Sequence, residues 1–286
     1  MIRAILLSAL LLCAHAQVSA DTGVYDDRKQ RINATAPIQR IITLAPHAIE
    51  WLFEIGAGER VVGTVSFSDY PPAARTVPVI GNARHINLEK VIALQPDLAV
   101  AWGSGNSPDD IRRLESHGIP VYVSEPRTLE DIPQHLRSLG RLTGTSTQAN
   151  ATALAFEQKL NQLREQYRSL PARKTFIQIW PQPLMTVNSQ HLISQALAVC
   201  NAHNVFADME LLAPTISTEA VLAARPEVII APTNHPGDLA SWARFPDIPA
   251  VNGKRLIHVN PDFLSRPSSR ILEGIAQVCG SLSVQN

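Results

Sequence analysis

The sequence predicts an α/β protein of two lobes, each built on a parallel sheet, joined by one long helix. Short apolar strands alternate with helices along both halves of the chain, as in parallel sheets covered on both faces. Residues 146–170 separate the halves and contain neither proline nor glycine, which favours a single long helix. A segment of the first half also recurs in the second half without gaps. The 286 residues suffice for two ordinary domains.

The composition indicates a globular chain that does not bind nucleic acid. Hydrophobic residues make up 45% and charged residues 17% of the sequence, which is enough apolar material for a folded core. The 25 Lys and Arg residues balance the 25 Asp and Glu residues. Because the net charge is zero, no long-range positive field attracts a phosphate backbone, and we expect no nucleic-acid partner.

The first 20 residues have the pattern of a secretory signal peptide. Arg3 precedes the apolar run 4–12, which is too short to span a bilayer, and small residues follow it. Cleavage is expected after Ala16 or Ala20, with Ala20 favoured. Residues 21–37 are a polar leader, and the mature protein is expected to be exported.

The N-terminal lobe, residues 38–145, alternates strands with helices. Its predicted strands are 40–44, 61–65, 98–102 and 121–123, and its predicted helices are 48–55, 87–94, 108–117 and 129–142. The connecting helix 146–170 would be about 37 Å long at the rise of an α-helix. This length exceeds that of an ordinary crossover helix and places the boundary between the lobes in the middle of the chain.

The C-terminal lobe, residues 171–286, resumes the alternation. Its elements are predicted at 175–180, 191–200, 219–224, 228–231, 256–259 and 270–282. Segment 217–231 aligns with segment 87–101, and each copy is a helix, a proline turn and a buried strand. The repeat predicts two similar Rossmann-like lobes. Ligands of open α/β sheets bind at the carboxyl ends of the strands, so we expect a ligand cleft between the lobes.

Aromatic side chains follow several predicted strands. Trp102 ends a strand of the first lobe and precedes Gly-Ser-Gly-Asn106, and Trp180 ends the first predicted strand of the second lobe. Phe67 follows a further strand. Core packing would explain most buried aromatics. The position of Trp102 and Trp180 at strand ends, one in each lobe, favours a ligand pocket.

Catalytic and metal-binding signatures are missing from the sequence. It contains no G-x-S-x-G elbow, no P-loop, no C-x-x-C and no H-E-x-x-H. The histidines are dispersed, whereas a metal site needs three or four convergent ligands. We therefore expect no enzyme activity, no resident metal and no cofactor.

Two cysteines, Cys200 and Cys279, remain after removal of the signal peptide. An oxidising compartment allows one disulfide between them, and the alternative is two buried free thiols. Export favours the disulfide. The bond would close a long loop and contribute roughly 3–5 kcal/mol.

Several segments resemble the periplasmic vitamin B12 (cobalamin)-binding proteins that feed ABC importers. They are 40–46, 66–72, 87–97 and 101–106. The resemblance covers about residues 38–283. It implies two α/β lobes joined by one helix and a periplasmic protein that binds cobalamin or a related corrinoid. It also implies delivery to an ABC permease dimer in the inner membrane.

The resemblance also implies roles for individual residues. Together with Trp180, the expected ligand contacts are Phe67, Trp102, Asp262, Phe263, Leu264, Ser265 and Arg266. Glu89 and Glu219 match the two docking glutamates that engage permease arginines, and Cys200 and Cys279 match the family disulfide. At some positions where the family has aromatic residues, this sequence has other residues. A different corrinoid therefore remains an alternative ligand.

Two other classes of function remain as alternatives. The same fold could bind haem, with His85 or His47 as axial ligand. It could also bind an iron–siderophore. Such a ligand would be expected to meet arginines in the cleft, and Arg266 and Arg84 are the candidates in this sequence. An exported enzyme is the third class, and the lack of a nucleophile–base pair disfavours it.

Overall fold

The structure is a computed structural model that describes residues 23–235 and 237–284. The predicted signal peptide, residues 1–20, lies outside these described residues, as do its cleavage sites at Ala16 and Ala20. Across the described ranges, no helix is long and apolar enough to cross a membrane. The predicted α/β class with parallel sheets in two lobes is confirmed.

The first lobe contains a short hairpin and a parallel sheet. The hairpin strands are β1 (Val24–Tyr25) and β2 (Arg31–Ile32), and the sheet contains β3 (Ile41–Thr43), β4 (Val61–Val65), β5 (Val79–Gly81), β6 (Leu98–Trp102) and β7 (Val121–Ser124) in the order β5-β4-β3-β6-β7. The helices are α1 (Pro46–Glu54), α2 (Leu88–Ala93), α3 (Pro108–Ser116) and α4 (Asp131–Thr143). The central strand β3 is buried throughout, which explains its apolar, β-branched sequence.

The long helix α5 (Ser146–Tyr167) follows α4 after a tight turn. Gly144 adopts a left-handed φ of 70° and ends α4, a conformation that glycine accepts without steric cost. Gly140 of α4 lies against the methyl group of Ala149 in α5, where a side chain would collide. The two helices therefore pack closely. Helix α5 ends at Tyr167 rather than at residue 170, the predicted end.

The second lobe contains a second parallel sheet. Its strands are β8 (Arg173–Ile177), β11 (Ala202–Asn204), β12 (Val228–Pro232) and β13 (Leu256–Val259), in the order β11-β8-β12-β13, and β9 (Trp180–Pro181) and β10 (Leu184–Met185) form a hairpin. The helices are α6 (Leu192–Ala198), α7 (Thr218–Ala224), α8 (Gly237–Ala240), α9 (Pro249–Asn252), α10 (Pro261–Leu264) and α11 (Ile271–Val284). The lobe boundaries 38–145 and 171–286 remain a prediction.

The internal repeat occupies equivalent places in the two sheets. Helix α2 leads into β6, which lies between β3 and β7, and α7 leads into β12, which lies between β8 and β13. The side chain of Asn87 accepts the backbone N–H of Lys90, and the side chain of Ser217 accepts that of Ala220. Both helices thus begin with the same N-cap hydrogen bond.

The apolar core continues from one lobe into the other. One cluster of buried side chains includes Leu52 of α1, Leu139 of α4, Phe156 of α5, Leu197 of α6 and Ile275 of α11. Full burial of such a side chain stabilises the fold by about 1.5–3 kcal/mol. Since wide separation of the lobes would expose this surface, we expect the lobes to move only modestly relative to each other.

The polar leader becomes a structured hairpin from residue 23 onward, which the sequence did not indicate. Val24 and Ile32 are buried in the core. The backbone N–H of Asp27 donates to the carbonyl oxygen of Val123 at 3.1 Å, and the Asp26 carboxylate accepts the Val123 N–H at 3.2 Å. The hairpin therefore covers the outer edge of β7 and shields it from further pairing.

Candidate functional site

A cavity between the lobes lies at the carboxyl ends of the strands. Its enclosed volume is about 20 Å³, and residues of both lobes line it. The first lobe contributes Trp102, Ser104, Glu125, Pro126 and Arg127, and the second contributes His191, Leu192, Leu212, Leu264, Ser265 and Pro267. Three of the predicted ligand contacts, Trp102, Leu264 and Ser265, therefore share one cavity.

The loop after β6 holds Trp102 in place. The backbone N–H of Trp102 donates to the side-chain oxygen of Asn106 at 2.7 Å. The Asn106 amide donates in turn to the carbonyl oxygens of Leu44 and Ala83 at 2.7 and 2.8 Å, so one buried side chain joins three loops. Gly105 lies directly under the indole, where a Cβ would collide with the ring. The sequence Gly-Ser-Gly-Asn106 thus positions the indole at the cavity.

His47, one of the two histidines considered as a haem ligand, is buried behind Trp102. Its ring packs edge-on against the Trp102 and Trp51 rings, and Nε2 lies 3.2 Å from Ser124 Oγ. Burial lowers the pKa of His47 to about 3, so the imidazole is neutral. The other candidate, His85, is exposed. Neither ring lines the cavity between the lobes.

Phe67 and Trp180 lie outside this cavity. Phe67 is 81% exposed and has a φ of 68°, an unusual backbone conformation for a bulky residue and one often found at functional sites. Trp180 is 57% exposed and belongs to the hairpin strand β9, whereas β8 ends at Ile177. Trp180 lines an open hollow at the carboxyl edge of the second sheet, beside Pro232 and Pro261.

A buried ion network joins the lobes beside the cleft. Glu50 of α1 is fully buried, and its carboxylate accepts from Arg266 at 3.0 Å and from Arg270 at 2.6 and 2.9 Å. The Arg266 guanidinium also contacts Asp69 and Asp262, each at 2.9 Å. Arg266 and Asp262, both predicted ligand contacts, are therefore paired with each other in this structure.

Aromatic rings flank the other arginine of the network. The Arg270 guanidinium lies 4.0 Å from the centre of the Tyr70 ring and 5.6 Å from that of Phe263. Tyr70 belongs to the first lobe and Phe263 to the second. These cation–π contacts stabilise the Arg270 guanidinium in addition to its ion pair with Glu50. They also place one aromatic ring from each lobe against the same guanidinium.

Glu54 of α1 is a second carboxylate at the boundary between the lobes. Ser269 Oγ donates to its Oε2 at 2.6 Å. Burial is the main cause that raises the pKa of Glu54 to about 7; the neighbouring Glu50 raises it further, while the Ser269 hydrogen bond and the Arg270 charge oppose the shift. Glu54 therefore titrates in the neutral pH range.

We expect Glu54→Gln to change the pH dependence of stability. The folded state raises the pKa of Glu54 from 4.5 to about 7. The stabilisation from this proton is fully present below the unfolded pKa and is lost as the pH rises through the folded pKa. Glutamine mimics the protonated carboxyl. The free energy of unfolding of the variant should therefore rise relative to wild type by up to about 3 kcal/mol between about pH 5 and pH 8.

Urea denaturation at several pH values across this range measures the difference. Glu165→Gln is the matched control, because the Glu165 side chain is 70% exposed. Its difference from wild type should be independent of pH. A difference for Glu54→Gln that is equally flat would contradict the raised pKa.

The two predicted docking glutamates occupy equivalent, exposed positions. Glu89 lies in the first turn of α2 and Glu219 in the first turn of α7. The pKa of Glu219 is lowered by its own backbone N–H and by the Ser217 hydroxyl. Each lobe therefore presents a carboxylate to solvent at the start of a capped helix.

The predicted disulfide is confirmed. Cys200 and Cys279 are bonded, with their Cα atoms 4.9 Å apart. The bond joins the turn that follows α6 to α11.

Sequence reasoning missed several residues that the structure brings to the cleft. They are Glu50, Asp69, Tyr70, Glu125, His191 and Arg270. One signal was available for Glu50, since this charge interrupts the apolar run of α1 and a buried charge requires a partner. Asp69 and Tyr70 lie within the 66–72 segment that carries the resemblance.

Comparison with known proteins identifies a family. The family model described as "Periplasmic binding protein" matches residues 41–263. The chain is 34% identical over 249 residues to the vitamin B12-binding protein of Vibrio cholerae, covering 87% of this chain and 90% of the relative. It is 35% identical over 249 residues to the vitamin B12-binding protein of Pectobacterium carotovorum, covering 86% and 88%.

Solved structures share the fold. The vitamin B12-binding protein BtuF of Vibrio cholerae aligns with a TM-score of 0.81 at 34% identity, covering 87% of this chain and 98% of that chain. A periplasmic haem-binding protein from Pseudomonas aeruginosa aligns with a TM-score of 0.76 at 23% identity, covering 86% and 92%. The second likeness concerns the fold alone.

Proposed function

Because this chain belongs to the periplasmic binding protein family, we propose that it is a periplasmic receptor that captures cobalamin and delivers it to an ABC importer. The observation that carries the proposal is the cavity between the lobes, which Trp102 of the first lobe lines together with Leu264 and Ser265 of the second. A corrin ring is flat and partly apolar, and an indole provides a matching surface. The relatives named as vitamin B12-binding proteins support the same ligand.

The size of the cavity suggests how the ligand would be held. About 20 Å³ holds little more than one water molecule, which is far less than a corrinoid needs. Most of the ligand would therefore lie at the mouth of the cleft, with only a small group inside the cavity. At the mouth we assign contacts to Phe67, Trp180 and Phe263, whose rings are exposed or half-buried.

The haem and iron–siderophore alternatives have less support. His47 is packed behind Trp102, and its Nε2 lies beside Ser124 Oγ. Arg266, the cation expected to meet an anionic siderophore, is paired with three carboxylates. Among the described residues, no group of three His, Cys, Asp or Glu side chains could hold a metal ion. We propose a binding protein and not an enzyme.

Delivery would use the two exposed glutamates. Glu89 and Glu219 lie in the first turns of equivalent helices, one in each lobe, which suits docking onto a two-fold permease dimer. An exposed ion pair contributes only about 0–1 kcal/mol. Their role would therefore be to orient the receptor on the permease rather than to supply most of the affinity.

Calorimetric titration of the mature protein with cyanocobalamin tests the proposal. We expect submicromolar one-to-one binding. Trp102→Ala should weaken it by about thirtyfold or more, because a truncated aromatic anchor costs about 2 kcal/mol or more. Glu89→Ala, the control, should bind as wild type does, since this side chain is exposed on α2. Absence of heat, with an unchanged melting temperature in excess ligand, would overturn the proposed function.

A further inference from the structure

The cavity between the lobes contains a hydrogen-bond donor whose direction is fixed by its surroundings. His191 lies immediately before α6, and its Nδ1 accepts the backbone N–H of Ile193 at 3.2 Å. A neutral imidazole has one protonated nitrogen and one acceptor nitrogen. Since Nδ1 is the acceptor, Nε2 carries the proton. Within the described ranges, this Nε2 has no hydrogen-bond partner, and the residue lines the cavity.

The protonation state of His191 agrees with this assignment. Burial, and secondly the charge of Arg127, lower its pKa to about 4. The ring is therefore neutral near pH 7 and offers one N–H donor. It has no free lone pair with which to coordinate a cobalt or iron centre.

The first lobe contributes an acceptor to the same cavity. The Glu125 carboxylate accepts from the backbone N–H and the hydroxyl of Ser104, and it lies 3.4 Å from the Arg127 guanidinium. The backbone N–H of Glu125 donates to Asp27 of the N-terminal hairpin. Gly103 leaves the space that the carboxylate fills, since a Cβ there would lie 2.7 Å from Oε2. Glu125 is therefore held from two sides.

The Glu125 carboxylate retains acceptor capacity toward a ligand. A carboxylate offers about four acceptor positions. Ser104 and Arg127 occupy three of them at most. The charge of Arg127 is already balanced by Glu125, so the cavity does not present a free cation to an anionic group.

We propose that His191 and Glu125 select a neutral primary carboxamide on the ligand over a carboxylate. A carboxamide has a carbonyl oxygen that can accept from His191 Nε2–H and an NH₂ group that can donate to Glu125. A carboxylate has only acceptors, so it could accept from His191 but would face the Glu125 carboxylate with no proton between the two oxygens. This inference rests on the proposed function, because corrinoids carry carboxamide side chains. It identifies the part of the ligand that the cavity recognises.

The test uses cyanocobalamin and its monocarboxylates, in each of which one side-chain amide is hydrolysed. For wild type, the affinity for at least one monocarboxylate should be lower than that for cyanocobalamin by a factor of about ten or more. Glu125→Gln should reduce this ratio severalfold, since a glutamine amide can donate to the carboxylate. Calorimetry measures both affinities for each protein.

Two substitutions at His191 separate its two hydrogen bonds. His191→Asn retains an oxygen for the N-cap, so the melting temperature should stay close to that of wild type. It loses the donor at Nε2, and cyanocobalamin should bind about three- to tenfold more weakly. His191→Gln places an amide near the position of Nε2 and should bind more tightly than His191→Asn.

The outcomes distinguish this inference from the proposed function. If wild type does not bind cyanocobalamin, both are overturned. If wild type binds it but binds every monocarboxylate equally well, the carboxamide selection alone is overturned. The same conclusion follows if His191→Asn binds as tightly as wild type.

Discussion

Glu50→Gln is expected to lower the free energy of unfolding by about 3–5 kcal/mol, which is the cost of breaking a buried ion pair by removing one partner. Glu50 is fully buried and accepts hydrogen bonds from both Arg266 and Arg270. The substitution keeps the shape of the side chain but removes its charge. Arg266 retains Asp69 and Asp262, whereas Arg270 is left buried without its carboxylate.

Urea denaturation measures this loss, and Glu157→Gln is the matched control. Glu157 pairs with Arg137 through two hydrogen bonds at 2.6 and 2.9 Å, but its side chain is 37% exposed. The same chemical change there should cost less than about 1 kcal/mol. If both variants lose the same stability, burial is not what makes the Glu50 network important.

Removal of the disulfide is the second large expected effect. Cys200 and Cys279 are 79 residues apart in sequence, and cross-linking them restricts the unfolded chain. For a loop of this length the chain-entropy relation gives about 4.5 kcal/mol. The double variant Cys200→Ala/Cys279→Ala should be less stable than wild type by about this amount, measured by its urea midpoint and slope.

A reducing agent provides the control for the disulfide prediction. It should lower the stability of wild type toward that of the double variant and leave the variant unchanged. A double variant that is as stable as oxidised wild type would contradict the prediction. The bond would then contribute nothing to stability, and the packing of α6 against α11 would suffice on its own.

The lobes, the long helix and the repeat could be predicted because each leaves a local pattern in the sequence. The buried strand β3 is apolar along its length, and α5 excludes proline and glycine. The gapless match between segments 87–101 and 217–231 predicts equivalent helices, and the same N-cap hydrogen bond begins both. The disulfide was favoured because only two cysteines remain after signal removal and export places them in an oxidising compartment, with two free thiols as the alternative.

The candidate site was predictable only in part. Three of the predicted ligand contacts, Trp102, Leu264 and Ser265, line one cavity. The prediction that Trp180 ends the first strand of the second lobe was wrong. Strand β8 ends at Ile177, and Trp180 begins a hairpin. The ligand-binding roles of all the predicted contacts and the docking roles of the two glutamates stay predictions that binding and docking experiments test.

The hairpin of the N-terminal lobe depended on tertiary structure. The hairpin of β1 and β2 has strands of two residues each, too short to show any periodicity. It forms because the outer edge of β7 offers hydrogen-bond partners to Asp26 and Asp27.

The sequence by itself determined the fold class and the order of the longer strands and helices, because hydrophobic periodicity and helix caps act over a few neighbouring residues. Only the tertiary structure decided which polar groups meet at the cleft. Glu50 pairs with Arg266 and Arg270 across 216 and 220 residues, and no local pattern encodes a contact at that distance. The charges pair there because the lobes bury them together, and a buried charge is stable only beside its partner.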